Sequence, residues 1–175
     1  MNKKFTVVIA FMVMLIVLGG CSNTRDLSLA EKIEAAFPDD LMYEEIYHIE
    51  VINKGVLVFY KSMDGLGTAF LKQKSNTWEY VTRTGYVSLN TEDGLAAAFS
   101  NQDKVSLYMS YGIITDPAII EVVSSGGDST SKAKIVQTSS GVRIWFHTYD
   151  ELLGSPFPLI AGMSKEGKQI ITIPG

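Results

Sequence analysis

Two histidines and the acids near them are the side chains whose types and spacing could support catalysis. His147 lies three residues before Asp150 and four before Glu151. An imidazole held by a carboxylate is the pair that activates a serine in many hydrolases. A hydrolase using His147 with Asp150 or Glu151 is therefore one functional hypothesis. It requires a concave pocket at His147 with a serine or a water molecule within hydrogen-bond reach, although the sequence alone names no serine.

Other spacings give weaker chemical signals. Glu45 and His48 would lie together on a helical turn, but on opposite faces of a strand, and a zinc site needs at least three protein ligands. Ser129 and Lys132 have the spacing of serine–lysine acylases, but they lie in a segment that reads as a loop and not at the start of a helix. We therefore expect no metal and no cofactor, and an enzyme is the less favoured class.

The N-terminal segment has the pattern of an export signal. Lys3 and Lys4 precede residues 5–18, an uncharged and almost wholly apolar run. At about 1.5 Å per helical residue, this run is shorter than the roughly 30 Å hydrocarbon core of a bilayer. A cleaved signal peptide over residues 1–20 is therefore predicted in place of a lasting transmembrane helix.

The end of this run indicates the type of signal. Leu18, Gly19 and Gly20 precede Cys21, the only cysteine of the chain, and this sequence resembles the lipobox of bacterial lipoproteins. The resemblance implies recognition of Leu18, Gly19 and Gly20 by the signal peptidase, with cleavage before Cys21. It also implies a diacylglyceryl group, with acyl chains such as palmitate, on the Cys21 sulfur. The rest of the chain resembles small lipoproteins of Gram-positive bacteria, a resemblance that implies no particular activity.

Lipidation would place the protein at the extracytoplasmic face of the cell membrane. Each buried CH₂ contributes about 0.8 kcal/mol, and one acyl chain alone gives only marginal binding, so stable anchoring needs two or more chains. The expected partners are therefore the membrane, through Cys21, and a protein or polymer of the cell envelope. The whole sequence has a formal charge of −4 with scattered basic residues, which argues against nucleic acid.

The pattern of apolar residues predicts a β-rich α+β fold. Residues 21–27 read as a lipidated tether, and Ser28 with Glu31 has capping-box spacing for a helix over 29–37. Further on, the segment 90–99 reads as a brief helix and the Gly/Ser-rich segment 124–131 as a loop. Apolar segments separated by turn residues predict antiparallel strands at 43–52, 55–61, 68–73, 77–83, 105–114, 117–123, 132–138, 141–148 and 168–173.

An internal similarity suggests a duplicated β unit. Residues 55–64 and 141–150 both read Gly-Val-x-aliphatic-aromatic-aromatic-x-hydroxyl-x-Asp. We therefore predict one domain over 28–175, with two related antiparallel β-meanders at about 41–90 and 105–175. The alternative is that two hairpins share a strand-turn pattern by chance.

The leading functional hypothesis is a non-enzymatic binding or interaction module anchored at the outer face of the membrane. It depends on the lipid anchor, the repeated β unit and the weak catalytic signals described above. A carrier of small ligands is a third hypothesis, although the chain is short for the usual two-lobed form.

Overall fold

The computed structural model describes residues 27–52, 55–126, 129–154 and 156–175. These residues form one short α-helix, one 3-10 turn at Asp103–Val105 and twelve strands. The elements in chain order are α1 Leu29–Glu34, β1 Glu45–Ile52, β2 Gly55–Ser62, β3 Gly65–Lys74, β4 Thr77–Arg83, β5 Leu95–Gln102, β6 Leu107–Ile114, β7 Glu121–Gly126, β8 Ser129–Lys132, β9 Lys134–Gln137, β10 Arg143–Tyr149, β11 Leu159–Met163 and β12 Gln169–Ile173.

The predicted capping box starts α1. The Ser28 hydroxyl accepts a hydrogen bond from the Glu31 backbone N–H at 3.3 Å, and the Glu31 carboxylate accepts one from the Ser28 N–H at 2.7 Å. These bonds satisfy backbone donors that have no partner within the helix. The helix ends at Glu34, three residues earlier than predicted, and buries Ile33 against the first sheet.

The first sheet is a meander with strand order β1-β2-β3-β4, all antiparallel. Its strands lie where the apolar runs at 43–52, 55–61, 68–73 and 77–83 predict them. Because each strand pairs with the next one along the chain, hydrophobic pattern and turn residues are sufficient to predict both the strands and their order.

The second half of the chain has a more complex strand order. The second sheet has the order β5-β6-β10-β9, and the third sheet has the order β12-β11-β7-β8. Successive hairpins therefore alternate between two sheets, and each sheet is completed by strands distant in sequence. The hairpin predicted from residues 132–148 is present as β9 and β10.

Two predictions of element type are wrong, and the strand predicted at 117–123 begins only at Glu121. The segment predicted as a helix at 90–99 contains a turn followed by β5; the Thr91 hydroxyl accepts from the Asp93 N–H, and Gly94 has a φ of +80°, which a helix does not allow. The segment predicted as a loop at 124–131 contributes to β7 and β8. The small polar residues of this hairpin, many of them exposed, resemble a loop in composition.

The sheets stack in layers with three buried clusters. One cluster joins α1 to the outer face of the first sheet, and a second fills the space between the first and second sheets. The third cluster lies between the second and third sheets and contains Trp145, Leu95 and Ile160. Gly112 makes room for Trp145, since a Cβ there would lie 1.8 Å from the Ala96 carbonyl oxygen, which accepts the indole N–H.

The predicted fold class is confirmed: the chain is β-rich, with a short N-terminal helix and antiparallel sheets of meander character. The two similar segments, 55–64 and 141–150, form the central strands β2 and β10. Their hydrogen-bonded neighbours differ, because β2 pairs with the strands before and after it, whereas β10 pairs with β9 and the distant β6. The duplication itself stays a prediction.

Candidate functional site

The candidate site is built on the C-terminal end of β10. Side chains alternate along a strand, so Trp145, His147 and Tyr149 point to the same face, toward the third sheet. Trp145 is fully buried, whereas His147 and Tyr149 are half-buried at the open end of the space between the two sheets. The two rings pack edge to face, with centroids 4.6 Å apart.

The hairpin of β7 and β8 supplies the opposite wall. Ser124 pairs with Ser131, and Gly126 pairs with Ser129. The alternation of the strand places Ser129 and Ser131 on one face of β8, the face that also carries Ser124 across the ladder. Three hydroxyls therefore face β10 across a cleft of about 500 Å³. We call this the hydroxyl cleft; its lining includes Ser124, Ser129, Ser131, His147, Tyr149, Asp150, Glu151, Leu152, Leu153 and Pro158.

Hydrogen bonds hold the walls of the hydroxyl cleft in place. The Tyr149 hydroxyl lies 2.6 Å from the Ser124 hydroxyl on the third sheet and 2.8 Å from the Ser110 hydroxyl on the second sheet. The first of these two hydrogen bonds joins the two sheets. On the rim, the Asn101 side-chain oxygen accepts a hydrogen bond from the Leu153 N–H at 3.2 Å. The Asn101 amide nitrogen donates one to the Leu153 carbonyl at 3.0 Å. The segment after β10 is therefore fixed at one point, and a ligand would meet a preformed surface.

His147 has a perturbed titration in this cleft. Burial lowers the pKa of His147 below its ordinary value, while the negative charge of Asp150 and a hydrogen bond with the Lys132 backbone act in the opposite direction. The imidazole is therefore predominantly neutral at neutral pH, with one nitrogen able to donate and the other to accept. Such a side chain suits hydrogen bonding to a polar ligand as well as general base chemistry.

A second, smaller cavity lies on the other side of the same strand end. It has a volume of about 220 Å³ between the first and second sheets, with Ile52, Phe70 and Leu107 in its lining. Thr148, Tyr149 and Asp150 border both spaces. The hydroxyl cleft is the better candidate because it is larger and contains the histidine, both predicted carboxylates and the serines.

The structure brings together His147, Asp150 and Glu151, as the hydrolase hypothesis requires, and adds serines that sequence reasoning did not assign. The Ser124 hydroxyl forms a hydrogen bond with the Tyr149 hydroxyl, and the Ser129 hydroxyl donates one to the Gly126 carbonyl at 3.0 Å. The signal in the sequence is the alternation of Ser129 and Ser131, which is typical of one face of a strand, whereas the Gly/Ser-rich composition of segment 124–131 predicts a loop.

The other chemical candidates lie elsewhere. His48 is on β1, where its Nε2 lies 2.8 Å from the Glu50 carboxylate, so the segment from Glu45 is a strand, which was one of the two alternatives, and not a helical turn. Lys132 is on β8 and forms an ion pair with Glu121. Within the described ranges, no group of three or more His, Cys, Asp or Glu side chains could hold a metal ion.

The predicted anchor residues Leu18, Gly19, Gly20 and Cys21 lie outside the described residues. In the part of the chain that is described, no helix is long and apolar enough to span a membrane. Comparison of the chain with protein-family models, with curated proteins and with solved structures found no match. Functional inference therefore depends on the sequence motif and on the geometry of the cleft.

Proposed function

We propose that the protein is a bacterial lipoprotein anchored through Cys21 at the extracytoplasmic face of the membrane, and that its domain is a non-enzymatic binding module. The observation that carries the binding assignment is the hydroxyl cleft, a preformed space of about 500 Å³ lined by serines, a neutral histidine and two carboxylates. The sequence Leu18-Gly19-Gly20-Cys21 supports the anchor.

The lining of the cleft favours a ligand rich in hydroxyl or amide groups. Serine hydroxyls and imidazole offer both donors and acceptors, and Asp150 and Glu151 on the exposed rim add acceptors. Leu152, Leu153 and Pro158 contribute apolar surface next to these groups. A few fixed polar groups beside apolar ones are typical of binding sites. A polar segment of an envelope protein or a glycan polymer fits this description.

Labelling and fractionation test the anchor. Cells fed with a clickable fatty acid should label the wild-type protein and recover it with membranes. Cys21→Ser should lose the label, because no other thiol exists to carry the acyl group, and should keep residues 1–20, because the cleavage site is lost. A labelled Cys21→Ser protein, or an unlabelled wild-type protein, would contradict the anchor.

Site-specific photo-crosslinking in cells tests the binding module. A photoreactive amino acid replaces Leu152, an exposed residue of the cleft lining, or Met63, which is exposed at the β2–β3 turn in the first sheet. We expect one dominant crosslinked species from position 152 and none from position 63. Equal patterns at the two positions, or no species at either, would contradict a partner bound at the cleft.

A hydrolase is the second candidate, favoured by the presence of His147, Asp150, Glu151 and three serines around one concave space. Ser131 would be the nucleophile to examine first, because it faces the cleft and the hydroxyls of the other two serines have the partners named above. A fluorophosphonate probe should then label the wild type but neither Ser131→Ala nor His147→Ala. Absence of wild-type labelling would leave the binding module as the better account.

A further inference from the structure

An exposed apolar patch lies beside the start of the described chain. Leu27 and Leu29 are 45% and 42% exposed. Leu29 borders a shallow space of about 520 Å³ between α1 and the β3–β4 hairpin, whose lining also includes Trp78, Gln73 and Asn76. We call Leu27, Leu29 and Trp78 the anchor-side patch. Trp78 packs only partly on the first sheet and keeps part of its indole accessible.

The covalent chain limits how far this patch can lie from the proposed anchor. Six peptide units connect Cys21 to Leu27. At no more than about 3.6 Å per residue, these units span about 22 Å at full extension. Leu27 therefore lies within about 22 Å of the lipidated cysteine, whatever path the chain takes.

We propose that the anchor-side patch is a second contact with the membrane and holds the domain in one orientation on the lipid surface. The inference rests on the proposed lipid anchor. Tryptophan is favoured at membrane interfaces because its ring is apolar and its N–H can hydrogen-bond to headgroups. Leu29 adds apolar area in the same lining, and the exposed Leu27 lies two residues before it in the chain. The amides of Gln73 and Asn76 match the polar headgroup layer.

The energetics suit a contact that depends on the anchor. Two leucines and one indole bury too little surface to hold a protein on a membrane alone. Once acyl chains tether the domain, the local concentration of lipid is high, and a weak second contact becomes populated without further affinity. The patch would therefore orient the domain while the acyl chains hold it.

Two tryptophans allow a direct test on the full lipidated protein. Trp145 is fully buried in the third cluster, whereas Trp78 belongs to the patch. The wild type and Trp78→Phe are reconstituted in phosphatidylcholine vesicles with plain or dibrominated acyl chains. We expect brominated chains to quench part of the wild-type emission and to leave the emission of Trp78→Phe unchanged.

A matched control separates orientation from simple proximity. The double variant Trp78→Phe, Met63→Trp places an exposed tryptophan at the other end of β3, ten residues of strand away from the β3–β4 hairpin. Its emission should not be quenched. Equal quenching at positions 63 and 78, or no quenching at 78 in protein that floats with the vesicles, overturns the inference and leaves the anchor intact. Protein that does not float with vesicles contradicts the anchor, and the inference with it.

Discussion

The central strands β2 and β10 carry similar sequences in different surroundings. β2 is covered by α1 on one face and by the second sheet on the other, so Tyr60 packs toward the helix and Phe59 packs against Phe146. β10 lies between the first and third sheets, and its Trp145 enters the third cluster. A strand buried on both faces needs apolar side chains at successive positions, so the two sequences can be alike without sharing neighbours.

The surroundings of the two strands differ at the matching position just after the buried residues. Lys61, the position in β2 that matches His147, forms an ion pair with Glu44 in solvent at 2.6 Å. His147 instead enters the hydroxyl cleft. The shared apolar residues meet the same packing requirement in both strands, and the difference between Lys61 and His147 marks the candidate site.

Truncating the largest buried ring should give the largest effect. Trp145→Ala is expected to lower the free energy of unfolding by about 4 kcal/mol, because it opens a cavity and leaves the Ala96 carbonyl without its indole donor. Denaturant unfolding measures the loss. Trp145→Phe is the control and should retain more of the stability. A loss below about 1 kcal/mol for Trp145→Ala would show that β10 is not packed as described.

A double-mutant cycle tests the contact between the two strands. The rings of Phe59 and Phe146 are 4.7 Å apart between centroids. Phe59→Leu, Phe146→Leu and the double variant should yield a coupling free energy of about 1 kcal/mol. Additive losses would mean that the two central strands do not meet.

The edge strands beside β2 and β10 should be coupled through a carboxylate. Burial raises the pKa of Glu50, but hydrogen bonds from Lys134 and His48 outweigh it and leave the pKa below its ordinary value of 4.5. Lys134 reaches the Glu50 carboxylate at 2.6 Å. Glu50→Gln should therefore lower the free energy of unfolding by about 1 kcal/mol at neutral pH.

The pH dependence of this loss has a defined direction. A lowered folded-state pKa contributes stability above the unfolded-state pKa, and that contribution disappears as pH falls through the folded value. The difference between wild type and Glu50→Gln should be present at neutral pH and should shrink as pH falls below about 4.5. Glu79→Gln, at an exposed pair with Lys74, is the matched control. A difference that is unchanged in acid would contradict the role of Glu50.

The smallest stability effects are expected at the two matching positions Lys61 and His147. Lys61→Ala removes a solvent-exposed pair and should leave the unfolding midpoint within experimental error. His147→Ala should also leave the unfolding midpoint nearly unchanged. It should reduce photo-crosslinking from position 152, whereas Lys61→Ala should not. Equal crosslinking in the two variants would remove His147 from the binding surface.

The local pattern of apolar, capping and turn residues is sufficient to predict the first sheet, but it is not sufficient to predict the candidate site. Ser28 with Glu31 predicts the start of α1, and the apolar runs predict β1 to β4, since all these contacts are short in sequence. The pairing of β10 with β6 and of β11 with β7 depends on contacts between distant segments, which periodicity does not encode. His147 and Asp150 were therefore identifiable as candidates, whereas the serines that face them were not.

Filling the cleft from one strand tests the central claim most directly. Ser131 faces the hydroxyl cleft, while its neighbour Thr130 lies outside the cleft lining and bonds to Ser125. Ser131→Trp and Thr130→Trp add the same ring to opposite faces of β8. With both variants folded and membrane-bound, Ser131→Trp should abolish the species crosslinked from position 152, and Thr130→Trp should preserve it. Retention of that species in Ser131→Trp would contradict the hydroxyl cleft as the binding site.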